Sequence, residues 1–263
     1  MKEVKTIKYK DEVNDDFAGT NIDTKKTPEN FKYVHTNIFY RFFAWILYWP
    51  IVKPLITLFT KISCHQKFVN KKVLKKYRKQ GYIVYANHTI IPEDAFIPNM
   101  LTWSKKNYII VGPDAISIPG IRTLVTMLGG YPIPASIKTG QNYLDGIDYL
   151  LKHNNVITIY PEAHIWPYYT KIREFKDVSF NYAYTSGVPV FSLTNTFVKS
   201  RNKLRKKPKV VTYINGPFFA DQSLPRKESI LKLRNEVRDS MVKVTESVEQ
   251  VEYKFHYEKE EAE

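Results

Sequence analysis

The sequence predicts an α/β fold with a mainly parallel or mixed central sheet flanked by helices, and three features of its pattern indicate this. First, five short runs rich in β-branched and aromatic residues are typical of strands. They cover residues 82–86, 107–111, 156–160, 188–194 and 210–214. Second, each run is continuously apolar rather than alternating, as in strands that are buried on both faces of a sheet. Third, helix-compatible segments separate the runs, at residues 93–104, 119–128, 140–153 and 174–186.

The clearest helix lies near the carboxyl end of the sequence. Apolar residues recur there at spacings of three and four and form one stripe, which predicts an amphipathic helix. They are Ile230, Leu233, Val237, Met241, Val244 and Val248. The pattern as a whole predicts four regions. These are a polar arm over residues 1–35, a helical segment over 36–63, the main α/β domain over 64–255 and an acidic, solvated tail over 256–263.

Residues 37–62 are the most apolar stretch, and their many aromatic residues indicate a membrane interface. Arg41 and Lys53 bracket an uncharged run of 11 residues, which is shorter than the roughly 20 residues that span a bilayer. Pro50 and Pro54 are expected to break or kink a single helix. Because Trp and Tyr accumulate at lipid headgroups, we expect the segment to lie on a membrane surface. The alternative is a pair of short helices packed on the protein's own core.

The charge balance favours anionic partners. Lys and Arg number 40 against 26 Asp and Glu, a net charge of +14, with basic clusters at 71–79 and 199–209. Neither cluster has the aromatic interleaving of a nucleic-acid groove, so no nucleic acid is expected. The expected partner is an anionic membrane surface, with the protein peripheral or monotopic. The lone Cys64 excludes an internal disulfide and fits a reducing compartment, which indicates the cytoplasmic face.

A histidine and two carboxylates follow the first predicted strand, in YIVYANHTIIPEDAF (82–96). His88 stands at the carboxyl end of that strand, where the ligand sites of open α/β sheets gather. Pro92 suits the first turn of a following helix, so Glu93 and Asp94 would lie within that turn. One of these carboxylates can accept a hydrogen bond from Nδ1 of the histidine and leave Nε2 free to remove a proton. The alternative is a hydrogen-bonded loop histidine with no chemical role.

A second strand also ends in ionisable residues, in VITIYPEAHIWP (156–167). Since parallel strands end at the same edge of a sheet, Glu162 and His164 are expected near the crevice that holds His88. The pairing of His88 with an orienting carboxylate suits activation of a substrate hydroxyl. A metal site made from these three side chains is the alternative, although nothing in the spacing fixes a ligand set.

Four ordered motifs resemble those of the glycerophospholipid acyltransferases. They are the Asn-His pair with its nearby acid (87–94), GGYPIP (129–134), YPEA (160–163) and SGVPVFSLT (186–194). Their order and spacing are far more specific than any single motif. The resemblance implies that residues 64–255 form the catalytic domain of an enzyme similar to 1-acyl-glycerol-3-phosphate acyltransferases. Such an enzyme moves a fatty acyl group from acyl-CoA or acyl-carrier protein to a lysophospholipid hydroxyl, with no cofactor beyond the donor.

The same resemblance implies roles for particular residues. His88 would be the general base, and Glu162 would help to hold the acceptor, lysophosphatidic acid. Two departures affect the binding of its phosphate: Ala135 stands where the second motif has Arg, and the third motif lacks its basic continuation. We therefore expect Lys138 and Arg173 to contact the phosphate. The departures also leave open a different lipid or hydroxyl acceptor, or a non-catalytic basic module that binds membranes or nucleic acid.

The carboxylate that orients His88 can be predicted only by weighing two arguments. By residue count, the resemblance points to Glu93. Helix phase and side-chain length point to Asp94, because a short side chain at the third helical position reaches back to the loop, whereas its neighbour would be turned away by roughly 100°. We predict that Asp94 is the partner.

Overall fold

The computed structural model describes residues 4–17, 27–117, 120–202 and 205–260, without the side chains of residues 137–139. The strands in these ranges are β1 (Lys5–Tyr9), β2 (Lys67–Val69), β3 (Tyr82–Ala86), β4 (Asn107–Val111), β5 (Gly130–Pro132), β6 (Val156–Ile159), β7 (Val190–Val198), β8 (Lys209–Phe218) and β9 (Phe255–Lys259). The α-helices are α1 (Ile38–Ile46), α2 (Lys53–Ser63), α3 (Arg122–Met127), α4 (Ile137–Lys152), α5 (Phe180–Ser186) and α6 (Arg226–Ser247).

Seven strands form the central sheet, in the order β2-β8-β7-β3-β6-β4-β5. All neighbours pair in parallel except β7 and β8, which are antiparallel. The predicted mainly parallel, mixed sheet is therefore confirmed. Strand β3 lies at its centre, between β6 and β7. Because parallel strands end at one edge, the residues that follow β3 and β6 meet there.

The core lies on both faces of this sheet, which explains the continuous apolar character of the strands. Along β3, Ile83 and Tyr85 pack with the buried residues of α4, α5 and α6 on one face. Tyr82, Val84 and Ala86 alternate with them and pack on the other face, against Ile90 and the residues around 97–101. Buried on both faces, β3 is a rigid support for the loop that follows it.

Two predicted helices differ from the structure. Residues 93–104 form two 3₁₀ turns, Glu93–Ala95 and Ile97–Met100, instead of one α-helix. Pro98 lacks an N–H group and restricts the residue before it, which disfavours a continuous α-helix. Helix α5 begins only at Phe180 and ends at Ser186, and Gly187 caps it with a φ of +63° that suits glycine.

The first and last described segments form a sheet of their own. Strand β1 pairs in parallel with β9, with Ile7 opposite Tyr257. The polar arm predicted over 1–35 and the solvated tail predicted over 256–263 thus each contribute a strand. The pair packs on Trp166, whose ring stacks on Tyr257 at 5.2 Å between centroids and contacts Tyr9 at 4.7 Å.

Helices α1 and α2 are parts of one continuous helical run, Ile38–Ser63, of 26 residues. A π-helical segment, Leu47–Val52, joins them and contains Pro50. The sequence predicts a break or kink at this proline, but the helical run continues through it. By length and composition alone the run could cross a membrane. One side of it is bound to the domain, because the Tyr48 hydroxyl donates to Asn99 Oδ1 at 2.7 Å and Lys53 Nζ donates to the Thr102 carbonyl at 2.6 Å.

Candidate active site

His88 lies just beyond β3, and its ring contacts Asp94. The distance from Nδ1 to Asp94 Oδ2 is 2.9 Å. The same oxygen accepts the backbone N–H groups of Thr89 at 2.8 Å and Ile90 at 2.9 Å. The loop thus folds around one carboxylate oxygen, which fixes the ring orientation and favours the tautomer with the proton on Nδ1.

The other ring nitrogen, Nε2, belongs to a side chain that is only partly buried. The His88 side chain is 24% exposed and the Asp94 side chain 4%, and within the described part of the chain no group bonds to Nε2. A buried acceptor on one nitrogen and an open second nitrogen are what a general base requires.

Asp94, not Glu93, makes the contact with the ring. The local geometry differs from the predicted one, because Pro92 precedes a 3₁₀ turn rather than opening an α-helix. In this turn the Asp94 N–H donates to the Ile90 carbonyl at 2.9 Å, which brings its side chain under the loop. The neighbouring Glu93 is also buried but does not reach the ring.

Two buried asparagines, Asn87 and Asn195, form a hydrogen-bonded pair that supports the Asp94 carboxylate. Asn195 Nδ2 donates to Asp94 Oδ1 at 3.2 Å, and Thr212 Oγ1 donates to Asn195 Oδ1 at 2.6 Å. Asn195 and Asn87 bond reciprocally, with the Asn195 N–H donating to Asn87 Oδ1 at 2.8 Å and Asn87 Nδ2 donating to the Asn195 carbonyl at 3.0 Å. Sequence reasoning missed Asn195, although a polar residue inside the apolar run of β7 is the signal that could have found it.

Tyr160 covers one face of the histidine. Its ring stacks on that of His88, with centroids 4.3 Å apart, and its hydroxyl donates to the Asp94 carbonyl. Burial, with a smaller contribution from the Asp94 charge, raises the pKa of Tyr160 well above its usual range. Tyr160 therefore stays a neutral donor, and it fixes both members of the histidine–aspartate pair.

Glu162 and Arg173 come together beneath the histidine. Glu162 Oε2 accepts the His88 backbone N–H at 2.9 Å, and Oε1 accepts the Arg173 backbone N–H at 3.1 Å. The two side chains form an ion pair at 3.4 Å, and the guanidinium lies 4.8 Å from the Trp166 ring centre. It also donates to the His164 carbonyl. The pair ties the loop after β6 to the loop after β3.

This geometry does not support the predicted substrate contacts of Glu162 and Arg173. Glu162 is 3% exposed and Arg173 is 1% exposed, and their side chains form an ion pair with each other. A phosphate group of the acceptor would have to displace a buried ion pair to reach the guanidinium. Their geometry is that of positioning residues that hold the His88 backbone.

The Arg173→Met substitution is expected to destabilise the fold by about 3–5 kcal/mol, because it leaves the Glu162 charge buried without its partner. Urea unfolding measures the loss. Arg78→Met, on an exposed arginine, is the matched control and should cost less than about 0.5 kcal/mol. Adding Glu162→Gln to Arg173→Met should recover part of the loss. Equal stability of the two arginine variants would contradict the role assigned to the pair.

The other predicted site residues are Lys138 and the groups of the metal alternative. Lys138 stands in the first turn of α4, and its side chain lies outside the described residues. In the part of the chain that the structure describes, no group of His, Cys, Asp or Glu side chains is arranged to hold a metal ion. Glu162 is held by Arg173, and the His164 ring lies 3.6 Å from Asp16.

A histidine with a buried carboxylate partner, at the carboxyl edge of a mainly parallel sheet, defines the class: an α/β protein with a histidine–aspartate pair at the end of a central strand. The chain belongs to the acyltransferase family, because the model of that family, described as Acyltransferase, matches residues 62–196, about half of the chain. It is therefore an acyltransferase enzyme, which confirms the family that the ordered motifs indicate.

Comparison with solved structures finds similarity to the 1-acyl-sn-glycerophosphate (LPA) acyltransferase PlsC from Thermotoga maritima. The identity is 21%, the TM-score is 0.49, and the match covers 77% of this chain and 87% of that chain. A search of curated proteins found no match.

Proposed function

We propose that this enzyme transfers a fatty acyl group from an acyl-CoA or acyl-carrier-protein thioester to the free hydroxyl of lysophosphatidic acid, giving phosphatidic acid. The observation that carries the proposal is the 2.9 Å contact between His88 Nδ1 and Asp94 Oδ2, in a histidine side chain that stays 24% exposed. The matched family transfers acyl groups, and such a pair can activate a hydroxyl without a metal or a covalent intermediate.

In the proposed reaction, His88 Nε2 takes the proton of the acceptor hydroxyl as its oxygen attacks the thioester carbonyl. The tetrahedral adduct collapses with cleavage of the carbon–sulfur bond. The thiolate leaves and receives the proton from the imidazolium. Asp94 stabilises the imidazolium in between, through its hydrogen bond to Nδ1. Since a thioester is already activated, the enzyme needs only to deprotonate the acceptor oxygen and hold it in line.

The acceptor phosphate needs a cation at the same edge of the sheet, and we propose Lys138 for it. Arg173 is buried in its ion pair. Strand β5 runs parallel to β4 and ends at Pro132, and α4 begins at Ile137, so the first turn of α4 follows the edge that holds His88. A helix amino terminus with a lysine in its first turn suits a phosphate group.

The activity is tested with purified protein, acyl-CoA and two acceptors, lysophosphatidic acid and monoacylglycerol, in detergent micelles. We expect free thiol only when an acceptor is present, and a higher kcat/KM for the acceptor with phosphate. The Lys138→Gln variant should lose most of that preference by raising the KM for lysophosphatidic acid. A wild-type preference for monoacylglycerol would instead support the different-acceptor alternative.

We also propose that the helical run Ile38–Ser63 attaches the enzyme to the cytoplasmic face of a membrane, as a peripheral or monotopic protein. Its outer side exposes large apolar residues, among them Ile38, Phe39, Phe42, Phe43, Trp45, Leu55, Leu58 and Ile62. Its inner side is bound to the domain through Tyr48 and the buried Lys53. A one-sided apolar surface suits a helix that lies in the interface, and the net positive charge favours anionic lipids.

The double substitution Phe42→Ser and Phe43→Ser is expected to weaken binding to anionic vesicles at least tenfold, because each phenyl ring loses about 1.5 kcal/mol or more of burial in lipid. Flotation with vesicles measures the change. Val178 is 70% exposed outside the helical run, so Val178→Ser is the matched control and should bind like the wild type. Unchanged binding of the double variant would contradict the proposed attachment.

A further inference from the structure

A cavity lies at the opposite edge of the sheet from His88. Its volume is about 380 Å³, within the range of small-molecule sites. It is enclosed by α1, by residues 31–35 and by the amino ends of β4 and β6, where Lys106 and Asn155 stand. The length of a strand, roughly 15 Å, separates this edge from the catalytic one. The cavity is therefore separate from the site described above.

The described residues that line the cavity carry positive charge without negative charge. The cations are Lys32, Arg41 and Lys106, with His35 and His153 beside them, and no Asp or Glu is among these lining residues. Lys106 Nζ donates to the Met127 carbonyl at 2.6 Å and makes no ion pair within the described part of the chain. The rest of the lining is mainly aromatic: Phe31, Tyr33, Tyr40, Trp45, Tyr48, Trp49, Tyr108, Tyr131 and Tyr149.

Keeping these charges together without an anion costs free energy. Burial lowers the pKa of Lys106 to about 8. Burial also lowers the pKa of His35, and the nearby charges of Lys32 and Lys106 lower it further. A bound anion would offset both effects, because an opposite charge favours the charged forms.

We propose that this cavity binds the phosphate group of an anionic phospholipid headgroup, at a second lipid site apart from catalysis. A free phosphate compound has the same chemistry, and the position of the cavity favours the lipid. Arg41, Ala44, Trp45 and Tyr48 of the membrane-facing helical run line it, and Trp45 is also 57% exposed. On the outer side of α1, Phe39 is 71% exposed, so acyl chains could lie there while the headgroup meets the cations.

The binding test uses dihexanoylphosphatidylglycerol below its micelle concentration, because this lipid is neither acceptor nor product of the proposed reaction. Calorimetry compares its affinity with that of inorganic phosphate. Arg41 is exposed, so Arg41→Gln should leave the fold intact. We expect this variant to bind the lipid about tenfold more weakly, because it loses one charge-assisted contact. Lys106→Gln should show the same loss.

Two further variants make the test specific. Lys61→Gln removes a charge from an exposed position of the same helical run outside the cavity, and it should bind the lipid like the wild type. His88→Ala should also bind normally, because the catalytic site is elsewhere. Equal affinities of wild type, Arg41→Gln and Lys106→Gln would overturn the site. Inorganic phosphate binding as tightly as the lipid would overturn the assignment to a headgroup.

Discussion

Replacing His88 with alanine is expected to slow acyl transfer to lysophosphatidic acid by about 10³-fold, within the range that a positioned general base contributes. The reason is geometric: the ring is held by Asp94 at 2.9 Å and by stacking on Tyr160. Without it, nothing removes the proton from the acceptor oxygen. The rate of thiol release at saturating acyl-CoA and acceptor measures the effect.

The matched control is a histidine–carboxylate pair on the surface. His256 Nδ1 lies 2.8 Å from Glu252 Oε1, with both side chains exposed, so the pair has the same contact without a catalytic position. The His256→Ala variant should keep wild-type turnover. A His88→Ala variant that also kept it, with its fold intact, would exclude the proposed mechanism.

The Asp94→Asn substitution is expected to reduce kcat by about 10²-fold or more, because a neutral amide neither holds the Nδ1 proton as well nor stabilises the imidazolium. The KM for lysophosphatidic acid should change little, since Asp94 acts through His88. A purely structural role would lower stability and would not confine the loss to kcat.

Glu93→Gln is the control for this substitution, since Glu93 is the adjacent buried carboxylate and does not reach the ring. We expect its kcat to stay within about threefold of wild type, because a change away from the reacting groups removes no transition-state contact. If Glu93→Gln impaired turnover more than Asp94→Asn, the orienting carboxylate would be Glu93, as the family's residue count suggests.

The central strands and the histidine–aspartate pair could be predicted because their signals are local. Strands β3 and β4 begin and end at the residues that their apolar runs predict. The choice of Asp94 was predicted from side-chain reach, although the turn that positions it is a 3₁₀ turn. Short-range chain geometry decides such contacts, and the sequence carries that information directly.

Other features depend on how distant segments meet, which local patterns do not encode. Strand β1 pairs with β9 across almost the whole chain, and neither has a long apolar run. Asn195 reaches Asp94 only because β7 pairs with β3, with Leu193 opposite Ala86. The surroundings of Arg173 could not be predicted for the same reason. Its position after the third motif predicts a phosphate ligand, whereas the folded loop buries it against Glu162.

The most direct measurement of the central claim, direct transfer with His88 as general base, is a single-turnover experiment with radiolabelled acyl-CoA. With lysophosphatidic acid present, thiol and labelled phosphatidic acid should form at the same rate, with no label on the protein at any time. Without acceptor, neither thiol release nor labelling of the protein is expected, and His88→Ala should form neither product on the wild-type timescale. A burst of thiol with label bound to the protein, or unchanged turnover by His88→Ala, would contradict the claim.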